Sequence, residues 1–420
     1  MKKLLLACLA MILFACSSDD TTTADPTGEN PENPTPENPT PENPEGGNCD
    51  NVYVGFAKLY SQEDVDAFVA NHYCSIIGGL YLGNFGGYSD ISDISGLQEL
   101  TELDGQLHLY STRLSNLHGL ENLEKVKDVF IFNNTNLLTL EHLHSLKEIG
   151  SYEDTESGIS IYNNHSLHTL KGLDNIQELN KLEIQATNIT NLEGLNALKK
   201  VDQFYVSAND ELLNFENLNS ITHIDNLRII YNTKLISVQQ IENLNVLSNL
   251  FFDDNDLVTE LPALSNIATM DKLQIFDCQN LNSLEAFSNI KEVQNIDLHS
   301  NSSLTSLHGF ENLKSVSGLD IKYINLSSLA PLSGITEIVP QPEEFSSDFE
   351  GIRLIGLDIS SLAGLENITT FNGKMLIGSN PNLSDLCAVS GIVDSADVAS
   401  FEGNAYSPTL EDFTAGNCSQ

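Results

Sequence analysis

The stretch from Ile159 to Lys181 reads ISIYNNHSLHTLKGLDNIQELNK. Ile159 and Ile161 are separated by one residue, the period of a β-strand whose alternate side chains point to opposite faces. Asn164 follows directly after this short strand. Leu167, Leu170, Leu173, Ile176 and Leu179 then recur every three residues. That spacing suits tight turns or short 3₁₀-like segments better than a long helix. Gly158 and Gly172 sit where the chain must bend.

The same pattern runs down most of the chain. Leucine-like residues open a short strand at Leu107, Val129, Ile159, Leu182, Phe204, Leu227, Leu250, Leu273, Ile296, Leu319, Ile352 and Met375, at steps of 22 or 23 residues with two longer ones. A period this short means a solenoid, in which each unit buries its apolar face only against its neighbours. The expectation is an α/β repeat solenoid of about 12 repeats with few regular helices. The two long steps carry polar inserts, Ser151–Ser157 and Val339–Gly351.

An asparagine recurs at the end of the strand: Asn134, Asn164, Asn209, Asn232, Asn255, Asn301 and Asn380. A buried amide there can bond the backbone of adjacent turns and satisfy groups left unpaired at the corner. Cys278 occupies this position in its own repeat, so it reads as a buried corner residue rather than a reactive thiol.

These residues resemble the leucine-rich repeats, whose pattern is L-x-L-x-x-N/C-x-L. The form with a glycine before the last leucines, as in Leu117-x-Gly119-Leu120, Leu170-x-Gly172-Leu173 and Leu192-x-Gly194-Leu195, is similar to the receptor L-domain branch found in bacterial surface proteins. The resemblance covers about residues 76 to 386. It implies a right-handed solenoid with a parallel sheet on one face. It implies no particular ligand, because fold does not determine function.

Residues 1–15 read as a signal peptide: Lys2 and Lys3, then an apolar run too short to span a bilayer. Leu13-Phe14-Ala15-Cys16 resembles a bacterial lipobox, which implies cleavage before Cys16 and lipid on its sulfur. Ser17-Ser18-Asp19-Asp20 resembles the surface-export signal of Bacteroidetes lipoproteins. Together these place the protein at the outer membrane, lipid-anchored and facing outward. The other readings are an ordinary secretion signal and a soluble acidic start to a linker. Residues 16–48 are rich in Pro, Glu, Asn and Thr and repeat the unit Pro-Thr-Pro-Glu-Asn, a composition that favours extended chain over a core.

The folded part divides into an N-terminal cap and first repeat (49–104), repeats (105–386) and a C-terminal cap (387–420). In the N-terminal cap a strand is expected near Val52–Phe56 and a helix from Gln62 to His72, with Ser61 as its N-cap. In the C-terminal cap a short helix is expected after Pro408, in its first turn. Exported chains form disulfides and solenoid ends need covering, so Cys49–Cys74 and Cys387–Cys418 are the expected staples.

Cleaved before Cys16, the chain carries 17 basic and 59 acidic side chains, a net charge of −42. Such a surface repels nucleic acid and anionic lipid, leaving the lipid anchor as the membrane contact. Asp253-Asp254-Asn255-Asp256 is the densest acidic run in the repeats. It lacks the spacing of a calcium loop, and Asn255 is already a corner residue. His142 and His144 flank Leu143 in an ordinary repeat and read as polar surface histidines rather than a metal pair. No C-x-x-C, H-E-x-x-H, phosphate loop or G-x-S-x-G occurs, so neither enzyme, metal nor cofactor is expected.

What the strands turn outward carries the functional signal. The outward positions are Tyr81, His108, Tyr110, Phe130, Phe132, Tyr162, Tyr205, Phe251, Phe276 and His299, giving way to Asp297, Asp320, Lys322 and Arg353. Solvated aromatics commonly mark recognition sites. They also favour strands and stack on each other along a sheet. The functional readings are capture of an extracellular protein or peptide, binding of a glycan, or a structural spacer or adhesin that packs on copies of itself. The acidic inserts are either lips beside this face or tolerated loops.

Overall fold

The structure is a computed structural model that describes residues 50–150, 157–340 and 349–420. The strand-opening residues lie side by side on neighbouring parallel strands, in unbroken register from Leu107 to Met375. The ladder also extends beyond them. Ala57 and Leu80 precede Leu107, and Ala399 follows Met375. The main sheet therefore has fifteen rungs among the described residues, against about twelve expected. Ala57 and Ala399 are too small to read as part of a leucine pattern. Leu80 is hidden because 27 residues separate it from Leu107. The ladder is open, since Ala57–Leu59 and Val398–Ser400 each pair on one side only.

A second, narrower ladder joins Val52–Val54, Ser75–Ile77, Glu102–Leu103, Lys125–Val126 and Glu148–Ile149. At Glu178–Gln185 it merges into the main strands, and it separates again after Ser315–Lys322 as Glu337–Ile338 and Thr370–Phe371. Leu179 pairs with Val201, and Val201 with Ile224. Leu179 thus belongs to a strand rather than to the three-residue turn series that precedes it.

Burial follows the alternation. Leu107 and Leu109, Val129 and Ile131, and Ile159 and Ile161 are fully buried, while the residues between them face outward. The three-residue series closes the core from the other side. Leu167, Leu170, Leu173 and Ile176 are buried in it, and short 3₁₀ turns such as Glu141–Leu143 and Glu285–Phe287 occupy equivalent places. Stacking many such leucines removes apolar surface from water at about 25 cal/mol per Å².

The corner asparagines behave as their chemistry requires. All seven are fully buried. Asn164 Nδ2 donates to Ile131 O and Tyr162 O, both at 2.9 Å, and its Oδ1 accepts the Asn134 N–H at 2.9 Å. Asn404, unremarked in the sequence, extends the series: its Oδ1 accepts the Asn380 N–H at 3.1 Å. Just before each of the seven corners, and before Cys278, the chain turns left-handed at a non-glycine residue, as at Asn163 (φ 57°), Tyr231 (φ 56°) and Asp277 (φ 48°); before Asn404 it does so at Gly403. The ladder bond that continues there, for instance Asn163 N–H to Gln185 O at 3.0 Å, offsets that strain. Gly119, Gly172 and Gly194 are glycines for a steric reason. Each has φ near +110°, and a Cβ would sit about 2 Å from a carbonyl of the preceding rung.

The N-terminal cap helix spans Gln62–Val69, with Ser61 and Asp64 forming a reciprocal capping box. It stops before His72 because the Asn71 side chain bonds the carbonyls of Ala67 and Phe68, and His72 turns to φ 55°. The C-terminal helix is Leu410–Thr414. Its N-cap is Thr409, so Pro408 lies one residue outside the helix rather than in its first turn. Cys387 and Cys418 are bonded, with Cα atoms 4.8 Å apart. Cys74 is also disulfide-bonded, and its expected partner, Cys49, lies outside the described residues. So do the signal peptide, Cys16, the linker and most of both inserts.

Candidate functional site

Register turns the outward aromatics into two columns. Tyr81, His108 and Phe130 stand side by side in one. Tyr110, Phe132 and Tyr162 form the next. Further along, Tyr205, Arg228 and Phe251 continue the first column, and Phe276 and His299 the second. The strands hold these side chains at the ~4.8 Å spacing of a sheet, close enough for rings to touch.

They do touch. Tyr81 meets His108 at 4.6 Å between ring centroids, and His108 meets Phe130 at 5.5 Å. Phe130 meets Tyr110 and Tyr162, each at 5.5 Å. The rings are half-buried and in contact with one another. The Tyr110 hydroxyl and His108 Nδ1 are 2.6 Å apart. Tyr162 donates to Glu183, which also accepts from the Ser160 hydroxyl at 2.8 Å.

Two exposed rings complete the patch, and neither is a strand residue. Phe56, 58% exposed, packs edge-on against Tyr81 at 5.7 Å. Phe85, 57% exposed, stacks on Phe132 at 5.2 Å and meets Tyr110 edge-on at 5.4 Å. Phe85 belongs to the extra residues that lengthen the step from Leu80 to Leu107. Among the described residues, five aromatic rings are exposed, and four of them (Phe56, Tyr60, Phe85 and Tyr88) lie at this end of the sheet.

The phenols of the patch are proton donors. Burial, and then the Asp128 charge, raise Tyr81 above its ordinary value. Burial, with Tyr81 and Asp128 behind it, pushes Tyr110 up to about 12. Burial and Glu183 raise Tyr162 as well. All three hydroxyls keep their protons at neutral pH.

The second group differs in kind. Arg228 lies over Phe251 at 4.8 Å and beside Tyr205 at 5.6 Å, a cation–π contact absent from the sequence reading. Phe251 meets Phe276 at 5.3 Å, and His299 meets the exposed Tyr323 at 5.5 Å. Beyond it the face is charged. The Asp320 carboxylate, 4% exposed, takes Lys322 and Arg353 at 2.8 Å each.

The histidine pair resolves differently from its sequence spacing. The His144 ring sits 3.0 Å from the carbonyl of Glu141. His142 instead faces the preceding rung, where its Nε2 is 3.8 Å from Glu121 Oε1 and its ring is 5.5 Å from that of His118. His118 Nδ1 contacts the same carboxylate oxygen, and Gly119 N–H holds the other at 2.8 Å. Burial works to raise the Glu121 carboxyl. Its own and Gly119's backbone N–H groups and the His118 ring outweigh that, and it titrates below its ordinary value. The acidic run at Asp253–Asp256 makes no comparable convergence. Asn255 is turned inward, donating to Ile229 O at 2.8 Å and Asp253 O at 2.9 Å.

No protein-family model and no curated protein matches the chain. Among solved structures it is similar to an internalin (inlF) from Listeria monocytogenes, at 14% identity and TM-score 0.33, over 82% of this chain and 76% of that chain. It is also similar to TLR13 in a complex with ssRNA13, at 12% identity and TM-score 0.19, over 87% and 82%. A third likeness is the leucine-rich-repeat ectodomain of the plant receptor kinase GASSHO1/SCHENGEN3 from Arabidopsis thaliana, in complex with CASPARIAN STRIP INTEGRITY FACTOR 2, at 11% identity and TM-score 0.16, over 84% and 69%. The fold is a leucine-rich-repeat type of parallel solenoid. That statement rests on the chain's own register, leucine core and asparagine corners.

Proposed function

We propose that this protein is a non-catalytic, surface-presented binding module that captures an extracellular protein or peptide on the aromatic end of its main sheet. The carrying observation is the Phe85–Phe132 stack. A loop ring, more than half exposed, lies over strand rings that already pack on one another. Rings fixed in this way lose little freedom when a partner arrives, and the free faces of Phe56 and Phe85 supply apolar area. The phenol protons are held within the face, Tyr81 donating to Gln106 at 2.6 Å and Tyr162 to Glu183, so the phenols fix the rings in place and leave their oxygens as acceptors. The chain's net charge of −40 favours a partner with basic groups at its rim.

The N-terminal residues support the same reading from another direction. The lipobox-like Leu13–Cys16, the acidic Asp19-Asp20 and the proline-rich linker suit a domain tethered to an outer membrane and held away from it. Palmitate labelling of the chain and of Cys16→Ala in a bacterial host tests the anchor: loss of label with the variant supports it, and equal labelling rejects it.

The binding test is panning of a random peptide display library against the full chain. Enriched peptides are then measured against the parent and a Phe56→Ser/Phe85→Ser variant. Binding by the parent that weakens about tenfold or more in the folded variant fits loss of hot-spot rings. Peptides that bind both forms equally exclude this face. A glycan array that enriches where peptides do not shifts the reading to sugars, and concentration-dependent sedimentation without either shifts it to self-association.

A further inference from the structure

The fold brings His118, Glu121 and His142 together from two consecutive rungs. One ring nitrogen from each histidine and one carboxylate oxygen all lie within 4.8 Å of one another. Among the described residues no other group of three such side chains does this. The donor set has two imidazoles and one carboxylate, a mixture that suits zinc and its transition-metal neighbours rather than calcium, which takes oxygen ligands only.

Three further features separate this cluster from a chance meeting of surface groups. First, the carboxylate is aimed: Gly119 N–H fixes Glu121 Oε2, which turns Oε1 toward both rings. Second, His142 Nδ1 is buried and has no hydrogen-bond partner. With Nε2 3.8 Å from Glu121 Oε1, too far for a hydrogen bond, and Nδ1 unsatisfied, the ring is placed by packing rather than by its own bonds. Third, the chain contains the same corner a second time, without the extra histidine. His308-Gly309-Phe310-Glu311 repeats His118-Gly119-Leu120-Glu121, and His308 Nδ1 pairs with Glu311 Oε1 at 2.6 Å while Gly309 N–H holds Oε2 at 2.8 Å. One rung later, where the first corner meets His142, the second has Pro331. The His-Gly-x-Glu corner therefore needs no metal to form. His142 is what the first corner adds.

We propose that His118, Glu121 and His142 bind one divalent transition-metal ion of the zinc type, clamping two adjacent rungs and leaving coordination positions open toward solvent. Both histidines line a surface depression together with Ser92, Asp93 and Asn116, so Asp93 adds negative charge there without being required as a ligand. A metal ligand must be deprotonated, so zinc affinity falls in acid.

The test is titration of the full chain, stripped with chelator, with zinc chloride by calorimetry, and with cobalt(II) followed by visible absorption. The expected result is one equivalent bound, a cobalt spectrum of low coordination number, and a rise in thermal midpoint with zinc. His142→Ala and Glu121→Gln should each weaken zinc binding by at least about tenfold, since loss of outer-sphere partners alone costs that much. His308→Ala should change nothing. His118 is exposed and His142 is half-buried in one turn only, so circular dichroism should report intact fold in the variants. Zinc uptake that is absent in the parent, equal in the His118→Ala/His142→Ala double variant, or reduced as much by His308→Ala overturns the proposal.

Discussion

Phe85 and Phe132 stack with their planes 26° apart, although Phe85 leaves the sheet two rungs before Phe132 enters it. Tyr110 fills the rung between, edge-on to Phe85. The loop is pinned for this. Asn84 Oδ1 accepts the Gly86 N–H at 3.0 Å, and Ser89 N–H bonds Ser111 O at 3.0 Å. Phe85 thus has a defined seat while more than half of its surface stays in water.

Phe85→Ala should therefore leave the fold nearly as stable as before. An aromatic pair at a half-open site contributes about 1 kcal/mol. Urea denaturation of parent and variant with equal slopes reads this directly. A loss of about 3 kcal/mol or more, the range of core aromatics, would make Phe85 a structural ring and withdraw it from the binding patch.

How much of this was legible in the chain depends on period. Leu107 to Met375 follow the repeat, so the rungs and the outward aromatics can be read directly from spacing. Phe56 and Phe85 cannot, because they lie between strands, where no period assigns a face. The one available signal was the long step from Leu80 to Leu107, which had to place an insert beside the sheet. The histidine cluster was hidden for a different reason. His142 has its near neighbour in sequence at His144 and its near neighbours in space at His118 and Glu121. Stacking makes residues one repeat apart adjacent, so in a solenoid the informative pairs lie a repeat length away.

Cys278 is a corner without a side-chain amide, as are Thr112, Thr187, Ile324 and Leu357, but it stands between two asparagine corners, and restoring an amide there should stabilise the protein. At neighbouring corners Asn255 and Asn301 donate to Ile229 O and Ile275 O, each at 2.8 Å. At Cys278 the sulfur lies 3.9 Å from Phe252 O, so that carbonyl has only a weak donor there. Cys278→Asn should gain about 1 kcal/mol, the net worth of a hydrogen bond, seen as a higher urea midpoint at unchanged slope. A lower midpoint would mean that this rung is shaped to sulfur. The native thiol should also resist alkylation, because burial pushes it up to about 12.

The raised acids make stability fall in alkali. Tyr110 and Tyr231 are each pushed up to about 12, mainly by burial, with Asp254 also holding the Tyr231 proton. A group whose folded pKa exceeds its unfolded value keeps its proton longer when folded. The stability this contributes is complete below the unfolded value, about 10 for tyrosine, and is lost as pH climbs through about 12. Cys278 opens the same window earlier, near its ordinary value of 9.0. Denaturation midpoints should fall across this range, and Tyr110→Phe/Tyr231→Phe should flatten the fall. An equal slope in the variant would place the effect elsewhere.

The last rung shows what a solenoid end needs. Val398–Ser400 pairs only with Lys374–Gly378, leaving its other edge to be covered by the chain that follows. That chain returns through Leu410–Thr414, packs Phe413 on Phe401 at 5.1 Å, and ends with Leu386 N–H on Cys418 O at 2.9 Å. The Cys387–Cys418 bond closes this return over a separation of 31 residues. Loop entropy of that size is worth about 3–4 kcal/mol. The cap buries few large side chains, so the bond should decide whether it stays closed. Cys387→Ser/Cys418→Ser should lose amide protection across 398–420 while the rungs from Leu107 to Leu319 keep theirs, because each rung depends only on its neighbours. Hydrogen exchange read by mass spectrometry separates this from the alternative. Unchanged protection at the end would mean that the Phe401–Phe413 contact holds the cap without the bond, and loss along the whole ladder would mean that the cap sets the stability of every rung.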